Sequence, residues 1–235
     1  AMKRASAGRI NAVIPYYGYA RQDRKSKARD PITAKLVADL LSAAGIDRVI
    51  TMDLHAPQIQ GFFNIPVDHL LGGPILQKFF AEKQIEDLVV VSPDHGSVVR
   101  ARNFAQPLNA PIAIIDKRRN SKLEPEVMNI IGDIKGKDCI LIDDMMDTAR
   151  SAVAGAKALR ANGAKSVRMM VVHAVLSDPC YQLLSEEKPF DSIIITDSIP
   201  LQQRFVDLGI FKVVSLADVL AETIDRIVND APLSG

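Results

Sequence analysis

The sequence predicts an α/β protein with parallel central sheets in two domains, the first of them incomplete. Two features carry that expectation. The spacing of apolar residues switches between a period of about 2 and one of about 3.6 along the whole chain, so strands alternate with helices. Runs such as Ile112–Asp116 and Cys139–Asp143 are nearly unbroken apolar stretches, as befits parallel strands covered on both faces.

Taken in order, Ile10–Ile14 reads as a strand stopped by Pro15. Asp30-Pro31 reads as an N-cap with proline at the first helical position, and Leu36, Val37, Leu40, Leu41 and Ala44 form the apolar stripe of a helix that Gly45 ends. Arg48–Met52 is a strand, Pro74–Lys83 a helix, Leu88–Ser92 a strand and Val98–Gln106 a helix. Beyond the two apolar runs already named, Thr148–Ala161 reads as a helix closed by Gly163. Val167–Val175, Ser192–Thr196 and Lys212–Val214 complete the strands. Ser215-Leu-Ala-Asp218 has the form of a capping box and opens a last helix with Leu216, Val219, Leu220, Ile224 and Ile227 on one face. The glycines and proline of Leu71-Gly72-Gly73-Pro74 mark a domain boundary. Residues 1–71 then form a partial first domain, and 72–214 a second. About 70 residues are few for an independent α/β domain, which is why the first is expected to be incomplete.

Composition narrows the class of function. With 48% hydrophobic and 24% charged residues among 235, the chain has a globular profile, not a disordered one. No apolar run approaches the roughly 20 residues that cross a bilayer. Two cysteines, Cys139 and Cys180, exclude a disulfide scaffold and favour a cytoplasmic setting. The start, Ala1-Met2-Lys3-Arg4, has no apolar region after its basic residues, so no signal peptide is expected. A balance of 29 Lys and Arg against 28 Asp and Glu gives no general pull towards anionic lipid or nucleic acid. An aromatic content of 5% disfavours nucleic acid further.

The balanced charge is unevenly spread. Arg21, Arg24, Lys25, Lys27 and Arg29 stand against one acid, Asp23. Lys117-Arg118-Arg119, with Lys122, form a second basic stretch, while Asp143, Asp144 and Asp147 gather the acids. Such separation suggests a polyanionic ligand held partly through a metal ion; solvated surface charge is the plain alternative, and placement on the fold decides. In open α/β sheets ligands sit beyond the carboxyl ends of the strands. There the stretch from Ile140 to Ala152 runs from an apolar strand into two carboxylates and then, through Asp147-Thr148, into a helix. The first N–H groups of a helix are unpaired and its dipole favours an anion, so this is a phosphate cradle to which Thr148 and Ser151 add hydroxyls. Asp143 and Asp144 are spaced to accept hydrogen bonds from vicinal sugar hydroxyls.

This stretch resembles the phosphoribosyl-pyrophosphate binding motif shared by type I phosphoribosyltransferases and ribose-phosphate pyrophosphokinases. Four further segments resemble the second family. Pro15-Tyr-Tyr-Gly-Tyr-Ala-Arg-Gln-Asp23 resembles its ATP-binding stretch, and Asp53-Leu-His-Ala-Pro-Gln-Ile-Gln-Gly-Phe-Phe63 the segment with its metal-linked histidine. Ser92-Pro-Asp-His-Gly96 resembles its pyrophosphate loop, and Ile115-Asp-Lys-Arg-Arg119 the root of its mobile catalytic loop. The match runs from about Lys3 to the final helix.

The resemblance implies two phosphoribosyltransferase-like domains, with the final helix, 215–229, packing back on the first, and an enzyme of nucleotide biosynthesis. Its reaction moves the pyrophosphoryl group of Mg-ATP to the anomeric hydroxyl of ribose 5-phosphate, giving phosphoribosyl pyrophosphate and AMP, with Mg²⁺ as cofactor. It implies that Lys117 and Arg119 stabilise the transferring group, with residues 120–125 as a lid. Arg21 then meets the ATP phosphates, Gln22 the base and His55 the metal–ATP complex, while Asp94 holds Mg²⁺. Magnesium prefers oxygen ligands, which favours Asp94 over His55. Asp143, Asp144, Asp147, Thr148, Ala149, Arg150 and Ser151 bind ribose 5-phosphate. Tyr16, Tyr17 and Tyr19 pack against adenine or a subunit contact; His69, His95 and His173 read as packing or hydrogen-bonding residues. A homo-oligomer, dimer or hexamer, is also implied, with no nucleic acid or membrane partner.

Three departures stand out. Arg150 and Ser151 replace the family's glycine and threonine, and Arg150 brings bulk and a restricted φ where backbone approaches phosphate. Ser97 replaces a second glycine in the pyrophosphate loop. The chain is also expected to lack the family's N-terminal segment and to have a shortened C-terminal extension. Two alternatives compete with the main reading. A type I phosphoribosyltransferase shares the cradle but leaves the segments around Arg21, His55 and Lys117 unexplained. A catalytically weak, ribose-phosphate-binding associated or regulatory subunit is favoured by Arg150 and Ser97 and opposed by the retention of Lys117, Arg119, His55 and Asp94.

Overall fold

The computed structural model describes residues 1–83, 85–118 and 127–233, with backbone alone at 117, 118 and 127. The chain divides into two compact units, Ala1–Gly72 and Gly73–Gly235. The last helix falls in the second unit, whereas the resemblance implies that it joins the first.

In the first unit, strands β1 (Asn11–Ile14), β2 (Arg48–Met52) and β3 (Val67–Leu70) form a three-stranded parallel sheet in that order. Helix α1 (Thr33–Ala43) follows β1. It starts later than the Asp30-Pro31 signal predicts: the Asp30 carboxylate accepts the Lys27 N–H at 2.8 Å, closing a turn instead of capping the helix. The buried face of α1 also differs from the predicted stripe. Ala34 and Ala38 are fully buried with Val37 and Leu41 beside them, while Leu36 and Leu40 are 53% and 59% exposed. Residues 34, 37, 38 and 41 share one helical face, and 36 and 40 lie on another. Small side chains mark where the helix approaches its core most closely. Gly45 ends α1 at φ +90°, with the Ile46 N–H donating back to the Leu41 carbonyl. Tyr17, expected near adenine or a subunit contact, is a core residue: its hydroxyl donates to the Ala34 carbonyl at 2.8 Å and its ring meets Phe63 edge-on.

The second unit is a seven-stranded sheet. Its strands are β4 (Leu88–Ser92), β5 (Ile112–Arg118), β6 (Val127–Ile131), β7 (Asp138–Met146), β8 (Ser166–Ala174), β9 (Ser192–Thr196) and β10 (Phe211–Val214). The spatial order is β10-β9-β8-β7-β4-β5-β6, parallel except for the β5–β6 hairpin. Helices α2 (Gly73–Ala81), α3 (Val98–Ala105), α4 (Arg150–Ala161), α5 (Cys180–Glu187), α6 (Gln203–Val206) and α7 (Ala217–Val228) connect or flank the strands. The strands carry the core: Val89, Val91, Ile115, Leu141, Met169, Val171, Ile193 and Ile195 are almost wholly buried. Ser215 of the predicted box caps helix α7 together with Asp197, which follows β9. The Ser215 hydroxyl accepts the Ala217 N–H at 3.2 Å and donates to the Asp197 carboxylate, whose other oxygen accepts the Leu216 N–H at 2.8 Å.

This order places a topological switch point between β4 and β7. From β4 the chain moves outward to β5, and from β7 it moves the opposite way to β8. The crevice beyond the carboxyl ends of β4 and β7 is where such sheets bind ligands.

Candidate functional site

Two segments meet that crevice within the second unit. The first follows β4. Ser92 is fully buried and its hydroxyl donates to the Asp94 carbonyl at 2.7 Å, while the Asp94 carboxylate accepts the Ser97 N–H at 2.9 Å. The loop is thereby folded tightly with Asp94 exposed on it. Ser97 sits at φ −93°, a conformation open to any residue, so the substitution of glycine there costs no backbone strain. The adjacent imidazole of His95 lies 3.0 Å from a carboxylate oxygen of Asp116 on β5, tying the loop to that strand.

The second segment is β7 and the turn that leads from it into α4. The strand does not stop at Asp143 as the sequence suggests; it runs to Met146, so Asp143 and Asp144 lie on the sheet itself. The ladder to β8 continues that far, with Met145 beside His173 and Met146 beside Ala174. Asp144 is 4% exposed and Asp143 half-buried. Arg100, on α3, reaches both: its Nη1 is 2.9 Å from Asp143 and 3.5 Å from Asp144. Burial pushes the Asp143 carboxyl up to about 7, the neighbouring Asp144 carboxyl adds to the rise, and Arg100 with the Asp144 N–H opposes it.

The sequence pattern has Asp147 and Thr148 opening the helix, but α4 begins at Arg150 and its N-cap is Ala149, in the left-handed region at φ +61°. The strain expected at Arg150 therefore falls one residue earlier. Arg150 is the first helical residue, exposed, with Ser151 exposed beside it. No side chain caps this terminus, and the first helical bond runs from the Val153 N–H to the Ala149 carbonyl at 2.8 Å. The N–H groups before Val153 therefore have no partner within the helix and suit an anion. Gly163, at φ +89°, closes the far end.

Lys117 lies near the end of β5, paired in register with Met128. Arg119 and residues 120–125 lie outside the described residues.

In the first unit, Arg21 and Gln22 line an open cavity of about 320 Å³ with Arg24, Ser26, Asp30 and Pro31. His55 is presented differently. Asp53 turns the chain at φ +39°, the Leu54 N–H donates to His69 Nε2 at 2.9 Å, and Leu54 and Ala56 are buried on either side of the exposed His55. His69 is thus a structural acceptor, its pKa lowered by burial. His173, with Nδ1 2.9 Å from the Ser198 hydroxyl, is also a buried hydrogen-bonding residue.

Similarity to other proteins agrees with this arrangement. Residues 1–45 match a family model described as the N-terminal domain of ribose phosphate pyrophosphokinase, and 117–235 one described as the phosphoribosyl synthetase-associated domain. A ribose-phosphate pyrophosphokinase of Caldanaerobacter subterraneus is 63% identical, over 97% of this chain and 72% of its own length. The chain belongs to the ribose-phosphate pyrophosphokinase family. The Bacillus subtilis ribose-phosphate pyrophosphokinase is 55% identical over 97% of this chain and 71% of its own. The crystal structure of phosphoribosylpyrophosphate synthetase from Mycobacterium smegmatis superposes with a TM-score of 0.89 at 43% identity, covering 98% of this chain and 75% of that one.

No helix among the described residues is long and apolar enough to cross a membrane. Nor do three or more His, Cys, Asp and Glu side chains gather there into a metal site. The exposed carboxylate of Asp94 is an oxygen donor of the kind Mg²⁺ takes. Arg100 and the His95–Asp116 pair are not legible in the sequence, because each works through a partner at least 21 positions away.

Proposed function

We propose that the chain transfers the pyrophosphoryl group of ATP to the anomeric hydroxyl of ribose 5-phosphate, releasing AMP. The observation that carries this is the crevice at the β4–β7 switch point, where two carboxylates stand on β7 ahead of the uncapped start of α4. The N–H groups of that helix start, with the Thr148 and Ser151 hydroxyls, take the sugar's 5-phosphate. Asp143 and Asp144 accept from its vicinal hydroxyls. Ala149 supplies the turn between the two, and Asp147 and Arg150 border the phosphate.

Arg21 and Gln22 take the phosphates and base of the nucleotide, and His55 its metal complex. The anomeric oxygen attacks the β-phosphorus. A C1–O–P linkage forms, the bridge between the α- and β-phosphates breaks with its oxygen leaving on AMP, and the hydroxyl proton passes to solvent. Such a transfer needs alignment and positive charge around the moving oxygens, with no covalent intermediate. Lys117 on β5 and Arg119 beyond it supply that charge. Mg²⁺ is the proposed cofactor, with Asp94 the oxygen ligand and His55 a second contact; when bound it neutralises polyphosphate charge.

Assembly into a homo-oligomer belongs to the same proposal, and the exposed Leu36 and Leu40 form apolar surface that assembly would cover. The two buried free cysteines suit a cytoplasmic setting. Incubation with ATP, Mg²⁺ and ribose 5-phosphate, followed by chromatography of nucleotides, tests the reading. AMP release dependent on both ribose 5-phosphate and Mg²⁺ is expected; folded protein that releases none overturns it.

A further inference from the structure

We infer that Arg100 is a positioning residue that holds Asp143 and Asp144 in place to receive the sugar's vicinal hydroxyls, an inference that rests on the sugar site proposed above. Arg100 is the third residue of α3, directly beyond the loop bearing Asp94. Its Nη1 lies 2.9 Å from Asp143 Oδ1 and 3.5 Å from Asp144 Oδ1. The same Asp143 oxygen accepts the Asp144 N–H at 2.9 Å, so two donors on one oxygen fix the plane of that carboxylate.

A cation is needed here for an electrostatic reason. Neighbouring carboxylates in a partly buried strand repel each other, and one of them tends to keep its proton. A protonated carboxyl turns one acceptor into a donor, whereas the ionised group accepts at every lone pair. Two sugar hydroxyls need acceptors. Arg100 opposes the upward push on Asp143 that burial and Asp144 exert. Its side chain is only 33% exposed, so the guanidinium is partly withdrawn from solvent and committed to this pair. The contact also joins the start of α3 to β7 across the switch point, so the loop after β4 and the sugar carboxylates share one anchor.

Isothermal titration of ribose 5-phosphate into the full chain tests this, using Arg100→Met, Arg100→Lys, Asp143→Asn and the Arg100→Met/Asp143→Asn double variant, with melting curves to establish folding. Arg100→Met is expected to weaken binding about tenfold, the scale of a charged hydrogen bond, and Arg100→Lys, which keeps the charge, by about threefold. The double variant should lose less than the product of the two single losses, because Arg100 acts through the carboxylate. Losses that multiply fully would show that Arg100 contacts the ligand independently and overturn the inference. A wild-type Kd for Arg100→Met beside a weakened Asp143→Asn would also overturn it while leaving the sugar site standing. Wild-type affinity in both single variants would overturn the sugar site itself. If Arg100→Met does not fold, Arg100→Gln is read in its place against the same outcomes.

Discussion

Gly155 lies midway along α4, on the face that packs against the sheet. A Cβ built there would stand 2.9 Å from Ile115 Cδ1 on β5 and 3.5 Å from Leu141 Cδ2 on β7. Both neighbours are buried, at 1% and 0% exposure, so neither can swing towards solvent. Gly155→Ala should gain about 1 kcal/mol in helix propensity. Overpacking a filled core costs about 1–3 kcal/mol, so the net expectation is a loss of about 0–2 kcal/mol. Gly155→Val keeps little of the propensity gain and adds two more carbons, so its loss should reach about 2–3 kcal/mol. The effect should extend to ligand, because α4 opens at the proposed phosphate cradle and a helix lifted from the sheet carries that start with it. Urea unfolding gives the stability change, and titration of ribose 5-phosphate under folded conditions gives the affinity. A Gly155→Val chain as stable as the wild type would refute the close-contact argument; one destabilised but with unchanged affinity would refute the coupling of helix seat to cradle.

Asp143 gives a pH prediction. In the unfolded chain its carboxyl ionises near the ordinary 3.8, but in the folded protein only near 7, so a penalty for folding builds up between those values and is complete above them. Asp143→Asn removes the penalty. Its gain in Tm over wild type should therefore be small at pH 4 and largest at pH 8, and a gain that is flat or falls with pH contradicts the shift. Lys117→Ala should lower kcat by about hundredfold or more with little change in the KM for ribose 5-phosphate, as expected of a charge used at the moment of transfer. A raised KM with unchanged kcat would assign Lys117 to binding. Burial pushes the thiols of Cys139 and Cys180 up to about 11 and 12. An aromatic disulfide reagent at pH 8 should then react only after unfolding; rapid reaction of the native protein would contradict their burial.

Much of the second unit's fold is legible in the sequence because its strands are continuous apolar runs: Leu88–Ser92 and Ser192–Thr196 match the strands in full. Other strands are hidden by polar residues with structural partners. β3 carries Asp68, whose carboxylate takes two hydrogen bonds from Arg48 at 2.8 and 3.0 Å, and His69, which accepts the Leu54 N–H. In β7 the acids that look like a loop lie on the strand, held by Arg100. On α1 large leucines suggest the wrong face, because close approach to the core selects alanine. Within the candidate site, the residues that the sequence proposes in the second unit's crevice stand in contiguous stretches, Asp94 and 143–151. Arg100, and Asp116 as the partner of His95, stay hidden because their roles depend on contacts that only the sheet order creates.

The central claim is that a pyrophosphoryl group passes intact from ATP to the anomeric oxygen of ribose 5-phosphate. Phosphorus NMR of the reaction mixture reads this directly. The account predicts AMP together with a new diphosphate on the sugar, in equal amounts, with neither forming when ribose 5-phosphate is left out. ADP appearing with a sugar bisphosphate, or AMP appearing with free pyrophosphate and unchanged sugar, would contradict it.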